Sequence, residues 1–249
     1  MLVLPPEIRK SSLASPYCYY GMVKSAIFFH RSVGYNLIHD GKLRDLLQTG
    51  SGLSLSDYDQ NTDTLTDSAR IQRRLGLKFT DNNTRPLDFS IIFSDNVPEQ
   101  YAPIQAMALG FDIILLKSCY PNSNIRSDAE LETIKEQYGA ITKFFANHTD
   151  KQLIILTSPP LTPLMTKSDR ARRARELAAW LRTADLGSNV KVFDFFDLLA
   201  APRDQKQANE LRKEYRRWLP FDSHPNAKAS LRIAQLLVKF LGDTVRPNS

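Results

Sequence analysis

The chain has 249 residues, of which 42% are hydrophobic, and this is enough for one sizeable core. The formal net charge is +6, but the two basic stretches, 170–182 and 203–217, lack the interleaved aromatic residues of a nucleic-acid stacking surface. We therefore expect no nucleic-acid partner. The two cysteines, Cys18 and Cys119, are too few for a cysteine metal cluster, and no spacing of His, Cys and Asp indicates a metal site.

The sequence carries no signal for a membrane span or a removable leader. No run of about 18 apolar residues occurs, and residues 1–10 lack a continuous apolar segment. We therefore expect a soluble protein with no membrane partner, either cytoplasmic or secreted with its leader removed. The oligomeric state is left open by these patterns.

The first third of the chain predicts one strand and helix followed by a polar connection. Residues 1–22 contain proline breakers and are predicted to be irregular. A strand over about 24–30 leads into a helix over about 34–48. Residues 51–86 are rich in Asp, Asn, Ser and Thr, and they predict a polar insertion or lid with a short helix at about 68–75. A binding lid and a plain surface insertion fit this composition equally well.

Apolar runs alternate with helical patterns along the rest of the chain. The predicted strands are Phe89–Phe93, Phe111–Leu116, Leu153–Leu156 and Val190–Phe193, and the predicted helices cover about 98–109, 127–147, 168–183, 203–217 and 227–241. The alternation predicts a single α/β domain over 1–249, with a doubly wound, mainly parallel five-stranded sheet and helices on both faces. Ligands of such sheets bind outside the carboxyl ends of the strands.

Three polar residues at this edge form the parts of a serine nucleophile system. Ser32 follows the first strand directly, and Asp222 and His224 precede the last helix. A serine hydroxyl becomes a useful nucleophile when an imidazole takes its proton and a carboxylate orients that imidazole. The alternatives are that Ser32 is only a helix N-cap and that His224 is an ordinary surface residue. His30 is a weaker candidate base, because alternation along the strand turns it away from Ser32.

Amide side chains after the central strands are candidates for holding a developing negative charge. Asn122 is the first choice as an oxyanion donor, and Asn96 is expected to place a second donor beside it. Asn124 and Gly34 are candidate substrate contacts, Gly34 because a residue without a side chain allows close approach. An asparagine-rich turn with no catalytic role explains Asn122 and Asn124 equally well.

The motifs of nucleotide-binding folds and of the α/β-hydrolase elbow are absent. No Gly-x-Gly-x-x-Gly, Walker loop or Gly-x-Ser-x-Gly follows the first strand, so we expect no nucleotide cofactor.

The order of the remaining motifs over about 24–241 resembles the SGNH, or GDSL-like, hydrolases. Ser32 matches the nucleophile block, Asp222 and His224 match the terminal block, and Asn122 stands where the family's oxyanion asparagine follows strand three. The first block here is His-Arg-Ser-Val-Gly instead of Gly-Asp-Ser, one residue instead of two separates Asp222 from His224, and the second-block glycine is absent.

This resemblance implies a flavodoxin-like fold and cofactor-free ester hydrolysis by a Ser-His-Asp triad. Ser32 is the expected nucleophile, His224 the base and Asp222 its orienting carboxylate. The oxyanion is expected on the Ser32 backbone amide, Asn122 and Asn96. The expected substrate is a small-molecule or carbohydrate ester, with an O-acetyl sugar preferred. A non-catalytic binding protein on the same scaffold and an O-acyltransferase using the same residues are the alternatives.

Overall fold

The computed structural model describes residues 24–50, 52–77, 79 and 83–245. Within them the strands are β1 (Ser25–His30), β2 (Ser54–Asp59), β3 (Thr64–Thr66), β4 (Gln72–Arg74), β5 (Ile113–Lys117), β6 (Gln152–Leu156) and β7 (Val190–Phe193). The helices are α1 (Ser32–His39), α2 (Leu43–Gly50), α3 (Pro86–Ile92), α4 (Ala102–Leu109), α5 (Asp128–Ala146), α6 (Ser168–Thr183), α7 (Phe195–Leu199) and α8 (Ala227–Val245). Short 3₁₀ turns cover Tyr120–Ser123, Pro163–Met165 and Lys213–Tyr215.

The strands form one sheet in the order β4-β3-β2-β1-β5-β6-β7. The pairs β1–β2, β1–β5, β5–β6 and β6–β7 are parallel, whereas β3 and β4 are antiparallel additions at one edge. The parallel part therefore has the flavodoxin-like order, as predicted. The described sheet nevertheless has seven strands and not five, because a small antiparallel extension follows β2.

Both faces of the sheet are covered by apolar layers, which is why the central strands are apolar on both sides. One layer joins residues such as Phe29 to α3, α4, α5 and α6. The other joins Phe28 to α1, α2, α7 and α8. Alternation along β1 thus sends successive phenylalanines to opposite layers. The carboxyl ends of β1 and β5 lie side by side, because these strands are parallel neighbours.

The predicted second strand, Phe89–Phe93, is wrong. These residues lie in α3 and its C-cap, and Phe89, Ile92 and Phe93 are buried at helical spacing after Pro86 at the helix start. Periodicity alone does not separate a short apolar run in a helix from one in a strand.

The actual second strand lies inside the segment interpreted as a polar insertion or lid. Residues 54–74 contribute β2, β3 and β4 to the sheet, so the short helix predicted at 68–75 is wrong, and this part of the predicted insertion or lid over 51–86 is a set of strands. The sequence of β2 looks polar because it contains Ser56 and Asp57, yet both are buried in the structure, as Leu55 and Tyr58 are. The buried carboxylate of Asp57 pairs with His30 from β1 and Arg44 from α2, and the local sequence pattern does not reveal these partners.

Two helix predictions also change. The helix expected over 34–48 is two helices, because Lys42 adopts a positive φ of 53° between them. The helix expected over 203–217 is wrong, since this region holds only the turn Lys213–Tyr215, and the helical residues lie earlier in α7. The helices expected over 127–147, 168–183 and 227–241 are confirmed, the last extended to Val245. The irregular segment predicted for 1–22 lies outside the described residues.

Candidate active site

Ser32 lies at the turn from the central strand β1 into α1. The N-cap position belongs to Arg31, which has extended backbone angles and makes no side-chain capping bond. Ser32 is therefore the first helical residue, and the interpretation of its hydroxyl as a simple N-cap is not supported. A helix amino terminus favours negative charge near this position. The side chain is partly exposed.

Asp222 and His224 form a close pair in the loop before α8. The ring atom Nδ1 of His224 lies 2.6 Å from Oδ1 of Asp222, and the backbone N–H of His224 donates to the same oxygen at 2.9 Å. The spacing of one intervening residue thus closes a small hydrogen-bonded ring. With Nδ1 directed at the carboxylate, Nε2 is the ring nitrogen that remains for proton transfer.

The carboxyl group of Asp222 is held in its ionised form. Partial burial works to raise the pKa of Asp222, but hydrogen bonds from the backbone and ring of His224, together with the charge of Arg217, bring this pKa below its ordinary value. Arg217 Nη1 lies 3.9 Å from Oδ2 of Asp222. A charged carboxylate at this position can stabilise a protonated imidazole on His224.

His224 borders a cavity of about 700 Å³ at the carboxyl edge of the sheet. The cavity lies between the starts of α3 and α5, the turn after β5 and the loop before α8. Four predicted site residues line it, namely Asn122, Asn124, Asp222 and His224. Three others, Ser32, Gly34 and Asn96, are not among its lining residues.

The two asparagines of the turn after β5 differ in their partners. Asn122 is 5% exposed, and its amide nitrogen donates no hydrogen bond of good geometry, although the buried Tyr138 hydroxyl is near. Asn124 accepts a hydrogen bond from Thr166 at 3.0 Å through Oδ1. Asn122 is therefore the better placed of the two to donate to a bound oxygen atom.

Gly34 and Asn96 do not have the surroundings that the sequence predicted. A Cβ atom on Gly34 would lie 2.2 Å from the Cβ of His30, so this glycine makes room for a buried histidine and not for substrate. Asn96 is exposed in the connection between α3 and α4, because the strand that it was expected to follow is a helix. Neither residue lies at the cavity.

His30 belongs to a buried polar network on the sheet. Its Nε2 lies 3.0 Å from Oδ2 of Asp57, and the other oxygen of Asp57 pairs with Arg44. His30 is 1% exposed. With its ring committed to a carboxylate and enclosed by protein, His30 is not available as a base for Ser32.

A side-chain relay connects the turn of Ser32 to the Asp222–His224 pair. With its amide oriented to satisfy both neighbours, Asn36 donates to the backbone carbonyl of Ser32 at 3.1 Å and accepts from Arg217 Nη2 at 2.7 Å. The same guanidinium faces Asp222. The ring of His224 hydrogen-bonds to Asp222, and no hydrogen bond joins it to Ser32 in the described residues.

Two residues at the site were missed by the sequence prediction. The ring of Tyr120 meets that of His224 edge-on, with centroids 5.5 Å apart and planes at 80°. Arg217 was counted with a basic helical stretch. A signal for Tyr120 was present, since it stands with Asn122 in the polar exit from β5, but its approach to His224 depends on the fold.

In the part of the chain that the structure describes, no three side chains of His, Cys, Asp or Glu converge as metal ligands do. No described helix has the length and hydropathy needed to cross a bilayer.

Comparison with known proteins relates the chain to solved structures only. No protein-family model matches it, and no curated protein does. A Streptococcus pneumonia structure provisionally named a platelet activating factor has a TM-score of 0.53 at 14% identity, covering 90% of this chain and 86% of its own. A Bacteroides fragilis structure provisionally named an acylhydrolase has a TM-score of 0.53 at 11% identity, with coverages of 90% and 88%.

A GDSL-like lipase structure from Bacteroides thetaiotaomicron has a TM-score of 0.51 at 10% identity and covers 90% of this chain and 89% of its own. The chain therefore has the fold of the SGNH, or GDSL-like, hydrolases. Sequence identities this low establish the fold and leave the chemistry to the residues of the site.

Proposed function

We propose that this protein is a serine esterase that hydrolyses an O-acyl ester. The observation that carries the proposal is the Asp222–His224 hydrogen bond of 2.6 Å at the edge of a large cavity, on a fold shared with proteins named acylhydrolase and lipase. In a serine hydrolase, a carboxylate orients the imidazole that takes the proton of the nucleophile. The fold alone does not supply it.

In the proposed reaction, Ser32 Oγ attacks the acyl carbonyl while Nε2 of His224 takes its proton. Asp222 stabilises the resulting imidazolium, and the Asn122 amide with the Ser32 backbone N–H donates to the oxyanion. The imidazolium then protonates the departing alcohol. Water, activated by the same imidazole, attacks the acyl-serine and releases the acid, leaving Ser32 and His224 as they began. No cofactor is required.

The Ser32–His224 hydrogen bond would form when substrate binds. Catalytic hydrogen bonds are often long or absent without substrate and tighten in the complex. The relay through Asn36 and Arg217 supports this view, because it ties the backbone of Ser32 to the loop that carries His224.

An O-acetyl ester of a carbohydrate is the substrate class that we propose. The cavity of about 700 Å³ lies within the range of sites for small ligands and combines amide side chains with apolar ones. Phe221 lies at its edge with 59% of its surface exposed. Asn83, Asn124 and Gln137 line the same cavity, so a bound sugar would find both an apolar ring and amide side chains in its lining.

The decisive experiment is covalent labelling with a fluorophosphonate, read by intact mass. Wild-type protein should gain one adduct, and Ser32→Ala should gain none. Ser94→Ala is the matched control, because its hydroxyl donates to the Ile91 carbonyl at 2.8 Å, away from the cavity, and it should label like wild type. A screen of acetylated sugars follows, and Ser32→Ala hydrolysing them as fast as wild type would refute the proposal.

A binding protein on the same scaffold is the second candidate. Ser32 is absent from the cavity lining and makes no hydrogen bond to His224 in the described residues. This observation favours a binding protein over an enzyme. That protein would give no adduct while still binding sugars, which isothermal calorimetry measures. If adducts form, adding an acceptor alcohol and identifying the products separates hydrolysis from acyl transfer.

A further inference from the structure

The turn after β5, residues Tyr120–Ser123, is held rigidly by polar contacts on both sides. Lys117 is fully buried, and its Nζ donates to the carbonyl of Ser118 at 2.9 Å just before the turn. At the other end, Ser123 Oγ donates to the carbonyl of Pro159 at 2.5 Å. Groups mounted on such a turn keep fixed positions, which a catalytic donor requires.

Two polar groups of this turn make no hydrogen bond of good geometry in the described residues. They are the hydroxyl of Tyr120 and the amide nitrogen of Asn122, and both atoms are buried. Both residues line the cavity. Buried polar groups are nearly always paired, so two such groups on one rigid turn at a cavity are candidates to donate to a bound ligand.

Tyr120 also contacts the proposed base directly. Its ring meets the ring of His224 edge-on at 5.5 Å between centroids. Burial raises the pKa of Tyr120 well above its ordinary value, and the neighbouring Cys119 and Asp222 add to this effect. The phenol therefore stays protonated across the working range of pH and remains a hydrogen-bond donor.

We propose that Tyr120 is a catalytic residue whose hydroxyl donates to the ester carbonyl oxygen as it becomes an oxyanion, beside the amide of Asn122. This inference rests on the proposed esterase function. It assigns the second side-chain donor to the turn after β5 instead of to Asn96, which is exposed and outside the cavity. It also supplies a donor where the chain lacks the second-block glycine.

The competing explanation is that Tyr120 only packs against His224. Tyr120→Phe separates the donor role from the packing role, because the substitution keeps the ring contact with His224 and removes only the hydroxyl. Since that hydroxyl is buried without a partner, its removal should leave the melting temperature unchanged or raise it. Tyr101→Phe is the matched control, a buried tyrosine in the layer of α3 and α4 and outside the cavity.

The experiment measures kcat and KM for 4-nitrophenyl acetate together with melting temperatures. Tyr120→Phe should lower kcat about 100-fold or more with little change in KM, as loss of an oxyanion donor does. Tyr101→Phe should match wild type. A Tyr120→Phe enzyme with kcat within about threefold of wild type would overturn the inference and leave the esterase proposal standing.

A clear fall in the melting temperature of Tyr120→Phe would also overturn it, since the hydroxyl would then have a structural partner. Wild-type protein that neither hydrolyses the ester nor reacts with a fluorophosphonate would refute the esterase function, and this inference with it. The two failures are therefore distinguishable.

Discussion

Replacing Asp222 by asparagine tests the charge that supports His224. Asparagine has nearly the same size, and its Oδ1 can still accept the backbone N–H of His224 as Asp222 does at 2.9 Å. The substitution removes the negative charge next to Nδ1 and offers the ring an amide that can also donate. The loop geometry should persist while the support for an imidazolium is lost.

The size of the effect follows from the geometry of the pair. Two unit charges about 4 Å apart attract by about 4 kcal/mol at the effective dielectric constant near a protein surface. The side chains of His224 and Asp222 are 30% and 21% exposed, and Arg217 lies 3.9 Å from the carboxylate, so the loss should be somewhat smaller. At about 1.4 kcal/mol per factor of ten, we expect kcat to fall by about 10²–10³-fold. In buried triads the same change costs about 10⁴-fold.

The assay is steady-state hydrolysis of 4-nitrophenyl acetate, with the rate of fluorophosphonate labelling measured in parallel. Asp40→Asn is the matched control, because Asp40 shares the partner Arg217, at 3.4 Å, without touching His224. Asp40→Asn should retain most of the activity. If Asp222→Asn retained kcat within about threefold, the carboxylate would not be orienting a catalytic imidazole.

Three further predictions concern the scaffold. Gly34→Ala should lower the free energy of unfolding by about 1–3 kcal/mol in urea titrations, because the new Cβ would lie 2.2 Å from the Cβ of His30, and unchanged stability would contradict this packing. Hydrogen bonds from the Ser25 backbone and side chain lower the pKa of Asp112, so its stabilisation is complete above the ordinary value of 3.8 and disappears as pH falls through the lower folded value. The stability of Asp112→Asn should therefore fall less steeply than that of wild type in this acid range, and parallel curves would refute the assignment. Ser127→Ala should cost about 1 kcal/mol, since Ser127 Oγ accepts the Glu130 N–H at 3.1 Å, and calorimetry showing no loss would exclude the cap.

Elements specified by local sequence were predicted well. The helix α5 begins where the pattern Ser127-x-x-Glu130 predicts it, since Ser127 Oγ accepts the Glu130 N–H as in a capping box. The Glu130 carboxylate accepts the Arg126 N–H at 2.6 Å, one residue before the N-cap. By contrast, β2 was missed because its buried Asp57 reads as a surface residue. Among the described residues, Arg44 from α2 and His30 from β1 pair with the Asp57 carboxylate, and these contacts exist only in the folded chain.

At the site too, contacts between residues close in sequence were predicted, and contacts between separate elements were not. The Asp222–His224 contact joins residues two apart, and the sequence pattern predicted it. Arg217 and Tyr120 reach the site through the packing of separate elements, so only the structure reveals them. Gly34 was misinterpreted because its neighbour, the His30 side chain, is brought close by the turn between β1 and α1.

In the first block, His-x-Ser-x-Gly, the histidine and the glycine fix the position of the turn that carries Ser32. His30 is anchored on Asp57 in the adjacent strand, and Gly34 lets the first turn of α1 close over His30. Neither His30 nor Gly34 lines the cavity, so this block offers no base to Ser32, the proposed nucleophile. Any proton acceptor for Ser32 must then come from elsewhere in the chain. His224 is the histidine whose ring is oriented by a carboxylate at the cavity, and Arg217 links its loop to the helix of Ser32. The proposed esterase chemistry therefore depends on how the last loop packs on α1, more than on the motif that follows the first strand.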